Sequence, residues 1–461
     1  MSERPDAADG ESFEAFLSRS TRYAPLIGAG LAAFITLRAF GLRAGPILLI
    51  TLAIPTLPLS MLHPELGLHA LVLNFVNEFD AYYHLQEYFP FSLPALLDIA
   101  VVIGIYHRFG RARRLPRLRS ATTVLLLLYV GWVTLSVLLS DVTVPGLWER
   151  FRTGFLIRPV LFLFLIVIVQ RPEQLHRLLL VLFVALTMLM AGGLSDFIQK
   201  GGSAYRVRGT LGAINYLSYV CIVTLPILIS VSLYLRERRT KALLFALSLA
   251  TLFVGLQTLS RSGYYSLIIT LGFLAFRFTR QPAALMATLV FAGVFYFLVP
   301  SELGQRLEEV QSIEQTDRYH LSQLGYRMAA ANPLLGVGWH AYEAKFLEYD
   351  AEGIFRRPQG PHSLYFAIAA SCGFPALAMY LAMYGMTFAR SFVIQRRYRR
   401  MRDSRSLGYY LAVGIEGGLL GHFVFGLAGS YGDSYYAYLL LALAVIVIRF
   451  HQEHPPPAAL A

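Results

Sequence analysis

Residues 108–139 read RFGRARRLPRLRSATTVLLLLYVGWVTLSVLL. The first twelve hold six arginines, Arg108, Arg111, Arg113, Arg114, Arg117 and Arg119, and no acid. After Ser120 the nineteen residues 121–139 carry no charge. An uncharged run of that length fits the roughly 20 residues with which a helix crosses a bilayer. Its apolar character is continuous, whereas a barrel strand would alternate over about ten residues, so the run reads as a transmembrane helix. The arginines before it mark a cytoplasmic end, because Lys and Arg collect in short cytoplasmic loops.

The pattern recurs along the chain. Apolar segments suited to spanning run at 24–40, 44–62, 92–107, 121–139, 155–170, 178–195, 213–235, 242–259, 264–276, 283–300, 363–388, 408–428 and 435–450. Of 461 residues, 56% are hydrophobic and 15% charged, and the mean hydropathy is +0.54. An ordinary soluble domain is roughly a quarter charged. Composition therefore excludes a soluble enzyme, a disordered chain and a disulfide scaffold. The expected fold is an all-α polytopic membrane protein with about 12–13 transmembrane helices. Cys221 and Cys372 lie in apolar runs and read as packing residues.

Charge sets the expected threading. Basic clusters at 108–119, at 236–241 (RERRTK), at Arg277 and Arg280, and at 390–405 fall on one side if the segments alternate. Thirteen spans would then put the N-terminus outside, against Arg4, Arg19 and Arg22. Either one segment within 24–62 does not cross, or Leu66–Val76 re-enters. The expected organisation is a polar tail at 1–23 without a signal peptide, a helix bundle at 24–300, an outer cap at 301–362, further spans at 363–450 and a cytoplasmic tail at 451–461. The cap holds nine acids and six bases, so it is acidic where the opposite loops are basic. Helix formers from about Gly304 to Ala331 stop at Asn332-Pro333, and Leu334-Leu335-Gly336-Val337-Gly338 reads as a tight turn. The formal net charge of +12 is thus a threading signal, and no nucleic-acid partner is expected.

Four arginines lie on the acidic, outer side. Arg158 sits near the outer end of its span. Arg206 and Arg208 precede another span in Arg206-Val-Arg-Gly-Thr-Leu-Gly212. Arg261 occupies the short turn Ser260-Arg261-Ser262-Gly263. Each could snorkel to lipid phosphate. Together they suggest an outward anion site, because guanidinium grips phosphate oxygens as a bidentate fork. His362, in Gly360-Pro361-His362-Ser363, stands where the chain returns to the bilayer and suits a base that titrates near neutral pH. His422 lies within a span and reads as hydrogen-bonded packing. No His-Glu-x-x-His, Gly-x-x-x-x-Gly-Lys or Gly-x-Ser-x-Gly pattern occurs, and no metal ligands or cofactor are expected.

Four blocks resemble the O-antigen ligase family (WaaL-like) and its O-antigen polymerase (Wzy) relatives. Arg206-Val-Arg-Gly209-Thr-Leu-Gly212-Ala-Ile-Asn215 is similar to the family's Arg-x-x-Gly-Thr-Phe-Gly-x-Pro-Asn. Ser260-Arg261-Ser262-Gly263 is similar to its Ser-Arg-x-Gly turn. Asp317-Arg318, followed by Asn332-Pro333-Leu-Leu-Gly336-Val-Gly338, looks like its cap motif. His362-Ser363, nine residues and then Gly373 resemble the ligase His-[Asn/Ser/Gln]-x9-Gly signature. Ile214 departs from the family's Pro, and Ala376 stands where the ligase pattern has a further Gly.

The resemblance implies a GT-C-like helical glycosyltransferase of the bacterial inner membrane with its active site facing the periplasm. The implied donor is an undecaprenyl-diphosphate-linked glycan; the acceptor is a glycan, lipid A-core or another hydroxyl. Arg206 and Arg261 would bind the diphosphate, and His362 would act as general base, without a metal. Arg208, Arg318 and Arg158 are further candidates for substrate contact. A polymerase of the Wzy type and transfer to protein remain open, as does a lipid-linked glycan transporter or flippase. Internal repeats would favour transport, and none is evident.

Overall fold

The computed structural model describes residues 13, 15–16, 55–78, 93–110, 120–142, 146–200, 206–278, 314–350, 353–400 and 406–453. Among them the regular structure is helical, with no strand. In chain order the α-helices are α1 (Pro64–Asn77), α2 (Leu93–Ile105), α3 (Ala121–Leu138), α4 (Leu147–Phe151), α5 (Ile157–Ile168), α6 (Pro172–Gln199), α7 (Ile214–Tyr234), α8 (Arg238–Gln257), α9 (Arg261–Phe278), α10 (Glu314–Ala331), α11 (Tyr342–Tyr349), α12 (Leu364–Arg400), α13 (Leu407–Gly426) and α14 (Tyr435–Glu453). Among the described residues, six are long and apolar enough to cross a membrane: α3, α6, α7, α8, α12 and α14. Helices α2, α5, α9 and α13 occupy four more of the expected apolar segments. The chain is a polytopic helical membrane protein. The segments expected at 24–40 and 283–300, and most of 44–62, lie outside the described residues.

Helix α7 is the axis of the bundle. The apolar window of α7 is 94% buried, and it packs between α8, α9 and α13. Close approach to α13 rests on small residues: a Cβ on Gly414 would stand 2.8 Å from Ile227 Cα, and one on Gly418 2.6 Å from the Val223 carbonyl. Small side chains let helix backbones meet where lipid supplies no hydrophobic drive between them. Leu66–Val76, the alternative re-entrant segment, lies within α1, which at fourteen residues is about 21 Å long, short of a bilayer core of about 30 Å. This helix is pinned to α6 by Asn77 Nδ2 on the Ala185 carbonyl at 3.2 Å and by Arg177 on Glu65 at 2.8 Å.

Contacts order the two ends of the bundle. Near the start of α3, Thr122 meets Thr387 late in α12 at 3.1 Å. At the same end Arg277 clasps Glu416 through Nη2, at 2.6 and 2.7 Å from the two carboxylate oxygens. Gln395 Nε2 donates to Glu416 at 2.6 Å, and the guanidinium lies over the Phe392 ring at 4.6 Å. Glu416 is wholly buried, so its charge depends on these donors. The described arginines Arg236, Arg238, Arg239, Arg277 and Arg396 lie at this end, and the four motif blocks lie at the other.

At that other end the cap docks on a break in α12. Gly373 has φ 83° and ψ 169° inside the helix, and Pro375 follows two residues later. The expected tight turn fills the gap. Val337 N–H donates to the Ala370 carbonyl and Gly338 N–H to Ser371, both at 2.9 Å, and Phe374 N–H donates to Pro333 at 2.9 Å. The approach is backbone to backbone: a Cβ on Gly336 would stand 2.3 Å from Ser371 C, and one on Gly373 1.9 Å from the Leu334 oxygen. Helix α3 donates further hydrogen bonds to carbonyls of the joint. Trp132 Nε1 donates to Leu334 and Cys372 at 3.2 and 3.1 Å, and Ser136 Oγ to Leu335 and Ser371 at 2.6 and 3.1 Å. Helix α10 covers this joint with Leu321, Leu324 and Met328, forming a separate small core with Val337, Phe346 and Ala370. The cap helix expected from Gly304 is described from Glu314 onward, and it ends at Ala331 as the Asn-Pro breaker requires.

Candidate functional site

Two of the arginine blocks are joined directly. Val207 N–H donates to the Gln257 carbonyl at 3.1 Å, and Arg206 Nε donates to the Thr258 carbonyl at 3.3 Å. The Arg206 segment is thereby laid along the end of α8, three residues before Arg261. Arg261 opens α9 and is half-buried. The turn that delivers it is strained, because Leu259 has φ 51°, a left-handed backbone that costs a side-chain-bearing residue about 1–2 kcal/mol. Gly263 closes the motif for a steric reason: a Cβ there would lie 1.9 Å from Ser218 Oγ on α7.

Asp196, near the end of α6, fixes the other half of the Arg206 block. Its Oδ2 accepts the backbone N–H groups of Arg208 and Gly209 at 2.9 and 3.2 Å, and Lys200 Nζ lies 3.1 Å from Oδ1. The Arg208 side chain is exposed. Sequence reading assigned Asp196 no part. Its partners lie twelve and thirteen residues downstream across a loop, so no local periodicity pairs them.

His362, two residues before α12, lies at the same end of the bundle. It is exposed and held at φ 48°. Ser363 Oγ donates to the Gly426 carbonyl at 3.5 Å, and Tyr365 donates to Phe423 at 2.7 Å. The loop after Gly426 then turns to α7, with the Tyr431 ring 5.3 Å from Tyr216 and 5.9 Å from Tyr219. Residues 426–434 thus bridge the His362 segment to the helix that follows the Arg206 block. Arg318 lies on α10.

Arg158 belongs to a different cluster at this end. Its guanidinium sits 5.2 Å over the Tyr435 ring, in the field of Glu78 and Asp433. Burial pushes the carboxyls of both acids upward, and the Arg158 charge opposes that shift in each. Asp433 Oδ2 accepts from Trp339 Nε1 of the cap at 3.2 Å, while its buried Oδ1 has no hydrogen-bond partner among the described residues. Asp433 was also missed, although a signal existed: it is the one acid in the short outer loop 430–434. Among the described residues the non-glycine left-handed positions are Glu78, Leu259, His340 and His362. Two carry or adjoin motif residues, and the other two adjoin this acid–arginine cluster. Strain of this kind collects where a site over-determines the backbone. Among the described residues no group of three or more His, Cys, Asp or Glu is placed to hold a metal ion.

Residues 246–381 match the model of a family described as O-antigen ligase. The match places this segment in the O-antigen ligase family. It runs from α8 through the Arg261 turn, the cap and His362 to the broken helix α12, and so contains three of the four motif blocks. The Arg206 block lies outside the matched residues, yet its hydrogen bonds attach it to the O-antigen ligase segment at Gln257 and Thr258. No curated protein matches the chain. The match supports an O-antigen ligase-like, glycosyl-transferring enzyme in a multi-pass membrane protein, acting in general between a lipid-linked glycan and an acceptor.

Proposed function

We propose that the protein transfers a glycan from an undecaprenyl-diphosphate carrier to an acceptor hydroxyl at the periplasmic face of the bacterial inner membrane. The observation that carries this reading is the bond from Arg206 to Thr258 at 3.3 Å, which ties two arginine turns together at one end of the bundle. Two guanidinium groups suit a diphosphate whose charge grows as it leaves. The acceptor oxygen attacks the anomeric carbon, and the bond from that carbon to the phosphate oxygen breaks. The electron pair departs with the diphosphate, and His362 takes the acceptor proton. The left-handed backbone of His362, followed by the Ser363 anchor, supports its role by fixing the imidazole's point of departure. Arg208, Arg318 and Arg158 remain candidates for contact with the glycan or acceptor.

The test is incubation of purified protein with lipid-linked glycan and alternative acceptors, followed by product analysis. Transfer to a non-lipid-linked or lipid A-core hydroxyl identifies a ligase, and extension of one lipid-linked glycan by another a polymerase. His362→Ala is expected to abolish transfer while the protein still folds. Near-normal turnover by that variant overturns the base assignment, and no transfer to any acceptor by the wild type overturns the reading in favour of transport.

A further inference from the structure

A chain of buried hydrogen bonds runs from the middle of the bundle to the loop that carries Asp433. Tyr380 of α12 meets His422 Nε2 at 2.5 Å. On the other side of the ring, Tyr219 of α7 meets Nδ1 at 2.8 Å. Ser434 Oγ donates to the Tyr219 hydroxyl at 3.2 Å and also accepts the Ala437 N–H at 3.2 Å, capping α14. All four side chains are at most 4% exposed. Tyr384 stacks on the His422 ring at 5.0 Å, which holds the imidazole plane. With Ser434 donating, the Tyr219 proton is directed to Nδ1 and the ring N–H falls on Nε2. Each member is therefore oriented by the next, and three helices and the residue that caps a fourth contribute to one line.

Bundle cohesion alone does not require the line to end where it does. Ser434 is adjacent to Asp433, whose carboxylate grips Trp339 of the cap. The Tyr380 hydroxyl also lies against Gly432: a Cβ there would come within 3.1 Å of it. Buried polar chains of this kind fix one arrangement when every member is satisfied.

We propose that His422 is a positioning residue for glycan transfer, acting through Tyr219 and Ser434 to set the Gly432–Ser434 loop against the cap. The inference rests on the proposed transferase activity. The two ring nitrogens give it a selective test. In His422→Asn the side-chain amide replaces Nδ1 and keeps a partner for Tyr219, whereas in His422→Gln it reaches the place of Nε2 and keeps Tyr380 instead. Tyr219→Phe retains the ring and removes both of its bonds.

Turnover and donor KM would be measured for the four proteins, together with hydrogen exchange of residues 427–437 and thermal unfolding in detergent. Tyr219→Phe and His422→Gln are expected to lose about tenfold in kcat, with donor KM little changed and faster exchange confined to 427–437. His422→Asn is expected to stay close to wild type in both readouts. Equal impairment of Asn and Gln variants, losses that only track the unfolding midpoint, or unchanged loop exchange in Tyr219→Phe overturn the inference. Wild-type transfer with a normal Tyr219→Phe variant overturns this inference alone. A wild-type protein that transfers to no acceptor overturns the underlying reading as well.

Discussion

Substituting Gly263 by Ala tests how tightly the Arg261 turn is held. The added Cβ would stand 1.9 Å from Ser218 Oγ and 3.2 Å from both Ser218 Cβ and Ser260 Cβ. Carbon contacts are comfortable at about 3.5–4.0 Å. The Ser218 hydroxyl can rotate away, but its Cβ cannot, because Ser218 is 0% exposed on the most deeply buried helix. Helices α7 and α9 must separate by several tenths of an ångström. Overpacking of this kind costs about 1–3 kcal/mol, of which about 1 kcal/mol is recovered because Ala is the better helix former. The stability loss is therefore modest. Displacement of Arg261 is the larger effect, since misplacing a reacting group by about 1 Å can cost about a hundredfold in rate. Gly263→Ala should therefore lose much more turnover than stability. Ser218→Gly should restore it in the double variant, because contacting residues couple by about 0.5–3 kcal/mol. The assay is a double-mutant cycle of transfer rate and thermal unfolding in detergent. Turnover of Gly263→Ala close to wild type, or no recovery on adding Ser218→Gly, refutes the reasoning.

Asp196→Ala should raise the donor KM, because the Arg206 block loses an acceptor for two part-buried backbone N–H groups, at about 1 kcal/mol each; Asp196→Asn, which keeps an acceptor oxygen, should be milder in the same titration. Arg277→Met leaves the Glu416 carboxylate buried without its cation and should destabilise by about 3–5 kcal/mol. Adding Glu416→Leu should recover much of that loss, read by thermal unfolding, with turnover per folded molecule unchanged throughout. Burial raises the Asp433 carboxyl above its ordinary value, so the folded state holds this proton more tightly than the unfolded chain. Wild-type stability should then fall as pH rises from the ordinary carboxyl value of about 3.9 to the raised one. Asp433→Asn should unfold later than wild type at neutral pH and match it in acid, as a series of melts across that range would show.

The helices were legible because each is announced locally: the spanning helix α3 by an uncharged run after an arginine cluster, the cap helix α10 by its Asn-Pro stop. Arg206, Arg261 and His362 were legible as residues that break the charge pattern or stand at a turn. What connects them was not. Asp196 meets Arg208 across a loop, Trp339 meets Asp433 from 94 residues away, and Arg277 meets Glu416 over 139. Such pairs depend on which helix ends come together, and composition is silent on that. Gly373 was visible only as a spaced letter. Its physical reason, a carbonyl occupying the space of a Cβ, needs the Leu334 backbone from the cap. Arg158 looked like an interfacial anchor by position, and only the packing brings it into the field of Glu78 and Asp433.

The joint between the cap turn and α12 also constrains the order in which the molecule is assembled. The first nine residues of α12, from Leu364 to Cys372, end in a break whose amides and carbonyls find partners in residues 333–338 and in Trp132 and Ser136. In hydrocarbon those groups would be costly if left open. Both sets of partners precede the break in the chain, so they emerge first during synthesis. A ribosome that has just delivered Gly373 leaves it facing a receptor already made. Early translocation of the cap is then a condition for α12 to settle, and a chain with the cap turn deleted should stall as an incompletely inserted intermediate instead of folding into a bundle that lacks only its lid.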